Sequence, residues 1–286
     1  MTKRSGVVVL VFGLLLCVLL AGGGTTPAHA APERAAAGYR CIIDAFGHTA
    51  GGRITLRRVV NTRVTVSKRT AQSFRWRPIA WGLVSAETWP GHETTRQLVA
   101  ATDGRIRLVE TRWDTGSALR VRVLRVVGSG YPARLVAFDD HSLYWVAADR
   151  SLHRATWTGS RLVRPTRLPV TLGGATALGA RTTDYGMRVY WTDMTGALHL
   201  VADAGAASTD RVLKSSGFRG FTGLRTGVCM SPDQARVRPY DGLLSVDRTR
   251  GIARFQRVLR PASPAVSSVT APARVGRADW TWPHLG

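Results

Sequence analysis

Leu98-Val99-Ala100-Ala101-Thr102-Asp103-Gly104-Arg105-Ile106-Arg107-Leu108 is the stretch that decides how this chain folds. It opens on an apolar run, breaks at Asp103-Gly104 and resumes with alternation. Asp-Gly is a strong signal for a two-residue hairpin turn, because glycine takes a positive φ without steric cost. After the turn Ile106 and Leu108 fall on one side and Arg105 and Arg107 on the other, the period of two that a half-buried strand requires. A shift of forty-six residues turns the stretch into Tyr144-Trp145-Val146-Ala147-Ala148-Asp149-Arg150-Ser151-Leu152-His153-Arg154. A second shift of forty-six gives Tyr190-Trp191-Thr192-Asp193-Met194-Thr195-Gly196-Ala197-Leu198-His199-Leu200, and a further fifty-four gives Leu244-Ser245-Val246-Asp247 and on to Arg254. A weaker copy lies upstream, where Ile54 precedes Ile106 by fifty-two residues and Cys41 to Phe46 supplies the first strand.

Each copy has room for two more strands. Leu119 to Val127 alternates after one hairpin, and Arg134 to Phe138, Ala177 to Arg181 and Thr226 to Met230 precede the others. No long amphipathic helix is visible beyond the N-terminal region. A four-stranded antiparallel unit repeated at about 40–50 residues is the mark of a propeller blade. The predicted fold is therefore an all-β, five-bladed β-propeller formed by residues 31–286 as one domain. Its repeat hairpins lie near 41–56, 96–109, 142–155, 188–201 and 242–255. The competing architecture is a β-sandwich with chance self-similarity. A ring leaves no open edge if its ends meet, so strands near Cys41 are expected beside the last blade, with a Cys41–Cys229 disulfide pinning the seam.

Residues 1–30 read as a signal peptide: Lys3 and Arg4, an apolar run from Val7 to Leu20, and Ala28-His29-Ala30 before a cleavage at Ala31. The mature protein is thus expected to be secreted, extracellular or attached to the cell wall. It should carry no membrane span, and Cys41 and Cys229 are a pair suited to an oxidising compartment. The whole chain has a formal net charge of +22. Removing Lys3 and Arg4 from forty basic residues leaves thirty-eight against eighteen acidic ones, or +20. Nearly all of that charge is arginine, with Lys68 and Lys214 the remaining lysines. Such a field attracts anionic envelope polymers, and Arg105, Arg120 and Arg122 are the expected basic surface.

Leu143-Tyr144-Trp145-Val146 and Val189-Tyr190-Trp191-Thr192-Asp193 resemble the Tyr-Trp-Thr-Asp repeats of receptor-type propellers. The stretch from Val127-Gly128-Ser129-Gly130-Tyr131 through Phe138-Asp139 to Leu152 resembles the repeat of tachylectin-type propellers, five-bladed lectins for N-acetylated sugars. That resemblance implies carbohydrate binding, although the family's Asp-Asn-Trp sugar-contacting pattern is absent.

Arg107, His153 and His199 share one repeat position and are the candidate ligand-binding residues, one per blade. Trp113 and Trp157, near strand ends, are candidate sugar-stacking platforms. The Tyr-Trp pairs are assigned to packing between blades, and Asp139-Asp140 to a turn. No nucleophile elbow, zinc-protease helix or phosphate loop is present, so the chain reads as a binding protein rather than an enzyme. No cofactor or metal site is expected, nucleic acid is not an expected partner, and the chain should be a monomer. Three readings follow in order: a lectin-like binder of envelope or host glycans, a basic module for anionic cell-wall polymers or an acidic partner protein, and a propeller hydrolase or lyase with residues scattered around its channel.

Overall fold

The computed structural model describes residues 39–131, 135–183, 186–230, 240–259, 267–276 and 279–282. The signal segment, and the loop from Ser231 onward that should hold the extra residues of the last copy, lie outside the described residues. The chain is all-β; among the described residues the one helical element is a single 3-10 turn, Gly205–Ala207.

Three sheets have four antiparallel strands each, in chain order from the innermost strand outward. The first holds β4 (Pro78–Trp89), β5 (His92–Ala101), β6 (Ile106–Asp114) and β7 (Arg120–Gly128). The second holds β8 (Val136–Phe138), β9 (Ser142–Val146), β10 (Ser151–Trp157) and β11 (Leu162–Thr171). The third holds β12 (Ala175–Thr183), β13 (Gly186–Asp193), β14 (Leu198–Asp203) and β15 (Thr209–Lys214). An eight-stranded sheet spans the two ends of the described chain. One half is β1 (Arg40–His48), β2 (Ile54–Val60) and β3 (Arg63–Arg69). The other is β16 (Gly223–Met230), β17 (Tyr240–Asp247) and β18 (Ile252–Leu259), edged by the short β19 (Ser268–Val269) and β20 (Ala273–Arg274).

The quoted stretch is the β5–β6 hairpin, and its equivalents are β9–β10, β13–β14 and β17–β18. Two residues before the first apolar residue of the second hairpin strand, the backbone turns left-handed at Gly52, Gly104 and Gly196, with φ of 80°, 70° and 90°; before β18 it does so one residue later, at Gly251. Arg150 takes φ 67° at the place of Gly104 and Gly196, without the glycine that makes the conformation free of cost. The turn is thus a property of the repeat, and one copy keeps it against its own side chain.

Strands β1, β4, β8, β12 and β16 form the inner ring, each touching the next, in a propeller-like arrangement. Four apolar clusters lie between neighbouring sheets, and a fifth, holding Cys41 and Cys229, lies between the two halves of the eight-stranded sheet. The Tyr-Trp pairs serve two of these seams at once, because alternate side chains of a strand leave on opposite faces. Tyr144 enters the seam toward β12–β15 while Trp145 enters the seam toward β4–β7. Tyr190 and Trp191 repeat the division one sheet on. Each tyrosine also carries a polar lock. Tyr144 donates to Asp203 at 2.8 Å, where Arg154 also binds, and Tyr190 donates to Asp241 at 2.6 Å, where Arg181 also binds.

The seam expected near Cys41 is present. β1 pairs with β16 over Arg40–Ile42, and Cys41 is bonded to Cys229 across 188 residues of sequence. Constraint of the unfolded chain alone is worth roughly 5 kcal/mol for so long a loop. Trp280 and Trp282 are buried in the same cluster, with Arg57 stacked 4.6 and 4.7 Å from their ring centres. Gly47 leaves the space that the Trp282 ring fills. One expectation needs correction: the first unit has three described strands rather than four, and β1 takes the innermost place although its sequence aligns with second strands elsewhere. It can do so because its free edge is satisfied by β16.

Candidate functional site: the central channel

The inner strands approach so closely that glycine is required. A Cβ on Gly82 would overlap Phe138 across β4 and β8, and one on Gly227 would overlap the Ile42 carbonyl across β16 and β1. The channel nevertheless widens into a cavity of about 420 Å³ bordered by all five inner strands, within the ~300–1,000 Å³ typical of small-molecule sites. A second cavity of about 210 Å³ shares Asp140, Arg181 and Val228 with it and lies against Tyr240 and Asp241.

Phe46 on β1 and Phe138 on β8 supply apolar wall to the larger cavity. Phe46 is held in place by stacking on Trp81 at 4.3 Å. Asp139 follows β8 directly and starts the turn to β9. Its Oδ1 accepts from the backbone N–H groups of His141 and Ser142 at 2.7 and 2.6 Å. This fixes the carboxyl, but Oδ2 is buried and has no hydrogen-bond donor. The Thr182 hydroxyl lies toward it without closing a bond and is itself unpaired. Burial pushes the Asp139 carboxyl above its ordinary range, the backbone N–H groups opposing, and neighbouring Asp140 adds to the rise. Gln97 on β5 borders the same space. Its amide nitrogen donates to Thr95 at 2.9 Å, while its Oε1 is buried and unpaired.

The cations of the channel are differently placed. Arg225 on β16 donates to the backbone carbonyls of Asp44, at 3.0 Å, and Trp81. A guanidinium has five N–H donors, so most of its capacity remains. Burial pulls its pKa down to about 10, with Asp44 and Asp140 opposing. Arg181 is engaged with Asp241 at 3.2 Å. Asp44 is gripped by Arg58 through two bonds of 2.7 Å, and Arg58 also reaches Glu93. The site therefore offers two unpaired acceptors, spare arginine donors and aromatic wall in one enclosure. Among the described residues no group of three or more His, Cys, Asp or Glu could hold a metal ion.

The residues predicted from sequence lie elsewhere, and none of them borders either cavity. His153 lies flat on Trp145, 5.3 Å between ring centres, and bonds to Ser151 at 2.9 Å. His199 lies on Trp191 at 3.8 Å and bonds to Asp210 at 3.2 Å. Arg107 is 7% exposed, stacks over Trp76 and binds Asp103; its side chain is packed, not presented to solvent. Trp157 is buried, and Trp113 is partly buried with Arg58 and Lys68 over its ring. Neither offers an open stacking face. Arg105, Arg120 and Arg122 are exposed, and Arg122 is paired with Glu110 at 2.9 Å. Sequence reading passed over Gln97 and Arg225 and gave Asp139 only a place in a turn. A signal was there: each charged residue interrupts or ends an otherwise apolar inner-strand segment.

No family model and no curated protein sequence matches this chain. Solved structures do resemble it. A fucose-specific lectin from Aleuria aurantia has TM-score 0.47 at 12% identity, over 83% of this chain and 80% of that one. SapL1 lectin in complex with alpha methyl fucoside has TM-score 0.40 at 13% identity, with the same coverage. Apo AztD from Citrobacter koseri has TM-score 0.30 at 9% identity, over 85% and 84%. These are remote likenesses, so the ligand is read from this chain's own side chains.

Proposed function

We propose that this chain is an exported, non-catalytic, carbohydrate-binding propeller of five blades, with its sugar site in the central channel. Five inner strands and five apolar seams support the count, the eight-stranded sheet being two blades joined by β1 and β16. The N-terminal signal pattern and the Cys41–Cys229 bond support export. The tachylectin-type opening of the repeat belongs to the same proposal, but not that family's site.

One observation carries the ligand class: unpaired buried acceptors on Asp139 and Gln97 share an enclosure with Phe46, Phe138 and the spare donors of Arg225. A sugar has hydroxyls for the acceptors, ring and hydroxyl oxygens for the guanidinium, and C–H faces for the aromatic wall. Leaving such buried groups unsatisfied costs about 1–3 kcal/mol each, which a bound polyol returns. Isothermal titration with simple hexoses should give binding that Phe138→Ala weakens and Trp157→Ala, in a folded variant, does not. Absence of binding to any sugar, or dependence on Trp157 and not on Phe138, would refute the placement.

One observation favours a second role for the surface. Arg112 and Arg120 stand directly opposite each other across β6 and β7, an arrangement of like charges that costs stability. Arg105 and Arg122 are exposed on the same sheet. These residues suit an anionic cell-wall polymer. Retention on an anionic matrix that is insensitive to salt would rule this role out.

A further inference from the structure

Asp139, at one corner of the channel, has no cation bonded to it, whereas its exposed neighbour Asp140 lies in the field of Arg225. Asp44 is held by Arg58, and Asp241 by Arg181 and Tyr190. Asp139, by contrast, receives two backbone N–H groups on one oxygen and nothing on the other, and its charged neighbour is Asp140, another acid. Asp139 is 6% exposed, so water is a poor substitute partner. Gln97, 5% exposed on a different strand, leaves a second acceptor facing the same cavity. Among the described residues two guanidiniums border the cavity: Arg181 is engaged with Asp241, and the two bonds of Arg225 are to the carbonyls of Asp44 and Trp81 rather than to a carboxylate. The corner is rich in acceptors and acidic, and it is walled by Phe138.

We infer that the sugar bound in the channel carries a free, protonated amine, and that this ammonium group sits between Asp139 and Asp140 with Gln97 as a further acceptor. The inference rests on the carbohydrate reading and narrows it. An ammonium has three N–H donors and no acceptor, which complements the unpaired acceptors of Asp139 and Gln97. An N-acetylated amine would supply one donor, no charge and an added carbonyl, and would leave Asp139 without a cation. The preference is therefore opposite to the N-acetyl preference implied by the repeat's resemblance.

The test is calorimetric titration of the purified mature chain. Ligands are glucosamine, galactosamine and mannosamine, their N-acetylated forms, the parent hexoses, and ethanolamine as a bare amine. At least one amino sugar should bind about tenfold or more tighter than both its parent hexose and its N-acetyl form, since a hydrogen bond to a charged group is worth about 1.5–3 kcal/mol. Asp139→Asn keeps an acceptor for the two turn N–H groups, so it should fold, and it should weaken amino-sugar binding more than hexose binding, so that the amine preference is lost. Asp140→Asn, an exposed change, should reduce the preference less and guards against a failure of Asp139→Asn to fold. Equal binding of amino sugar and hexose, or tighter binding of the N-acetyl form, overturns the inference and leaves the carbohydrate reading standing. Binding of ethanolamine without any sugar overturns the carbohydrate reading and keeps the amine. Binding of none of these ligands overturns both.

Discussion

His153 and His199 recur at one position of the repeat, and Asp139, Gln97 and Arg225 recur at none. The first set is engaged within its own sheet: each ring lies on a tryptophan and bonds to a polar partner, and the remaining nitrogen of His199 lies 3.5 Å from Asp193 without a hydrogen bond. The second set has hydrogen-bonding capacity to spare, and it faces a cavity. A residue repeated from blade to blade answers a need that every blade has, which is to pack against its neighbour. A channel is lined once by the whole ring, so its chemistry is assembled from single residues on different strands. Recurrence in this molecule marks architecture, and departure from recurrence marks the candidate site.

The strongest way to break that comparison is at Tyr190. Tyr190→Ala should cost about 3–5 kcal/mol, because it opens a cavity and strips a donor from buried Asp241. Urea denaturation measures this, and a loss under 1 kcal/mol would show that the seam is not where stability resides. His199→Ala should cost about 1–2 kcal/mol from the lost Trp191 stack and Asp210 bond. Its sugar affinity in calorimetry should stay within about twofold of the parent chain, a change of no more than ~0.4 kcal/mol. A tenfold loss would return the repeat position to the ligand site.

Asp139→Asn should act mainly through pH. Burial raises the folded-state pKa of Asp139 above its ordinary 3.8, so the fold accommodates the protonated form better than the ionised one. Its contribution to stability is then held below 3.8 and lost as pH rises through the folded-state value. The Asn variant should flatten that decline, and thermal melts between pH 4 and pH 7 (about the span from the unfolded value to neutrality) should show it. An unchanged slope would mean that Oδ2 is better served than its surroundings indicate. The smallest effect is expected at Arg150→Gly, which should stabilise the chain by up to about 1 kcal/mol by relieving the left-handed turn. A loss of stability there would mean that the arginine side chain is making contacts that outweigh the backbone cost.

The repeat was legible because turns and alternation are local. Asp103-Gly104 shows a hairpin whatever surrounds it, and Tyr144 and Tyr190 announce buried positions by size. Even the seam could be anticipated from Cys41 and Cys229. The site was not legible in the same way. Nothing local distinguishes Asp139 at the start of a turn from any other turn aspartate; its isolation comes from burial beside Thr182 of β12 and in a cavity shared with Gln97 of β5, two strands distant in sequence. Arg107 misled for the complementary reason. Alternation placed it opposite Ile106, but could not show that Trp76 from an earlier strand connection would cover it.

The bond between Cys41 and Cys229 gives the molecule a history as well as a shape. One edge of its first described strand has to wait, through the making of nearly everything else, for a partner 188 residues downstream. Until that partner emerges the ring is a horseshoe, its channel a furrow open to water along one side. The enclosure is therefore complete only where the two ends of the described chain meet, and the disulfide fixes that meeting covalently.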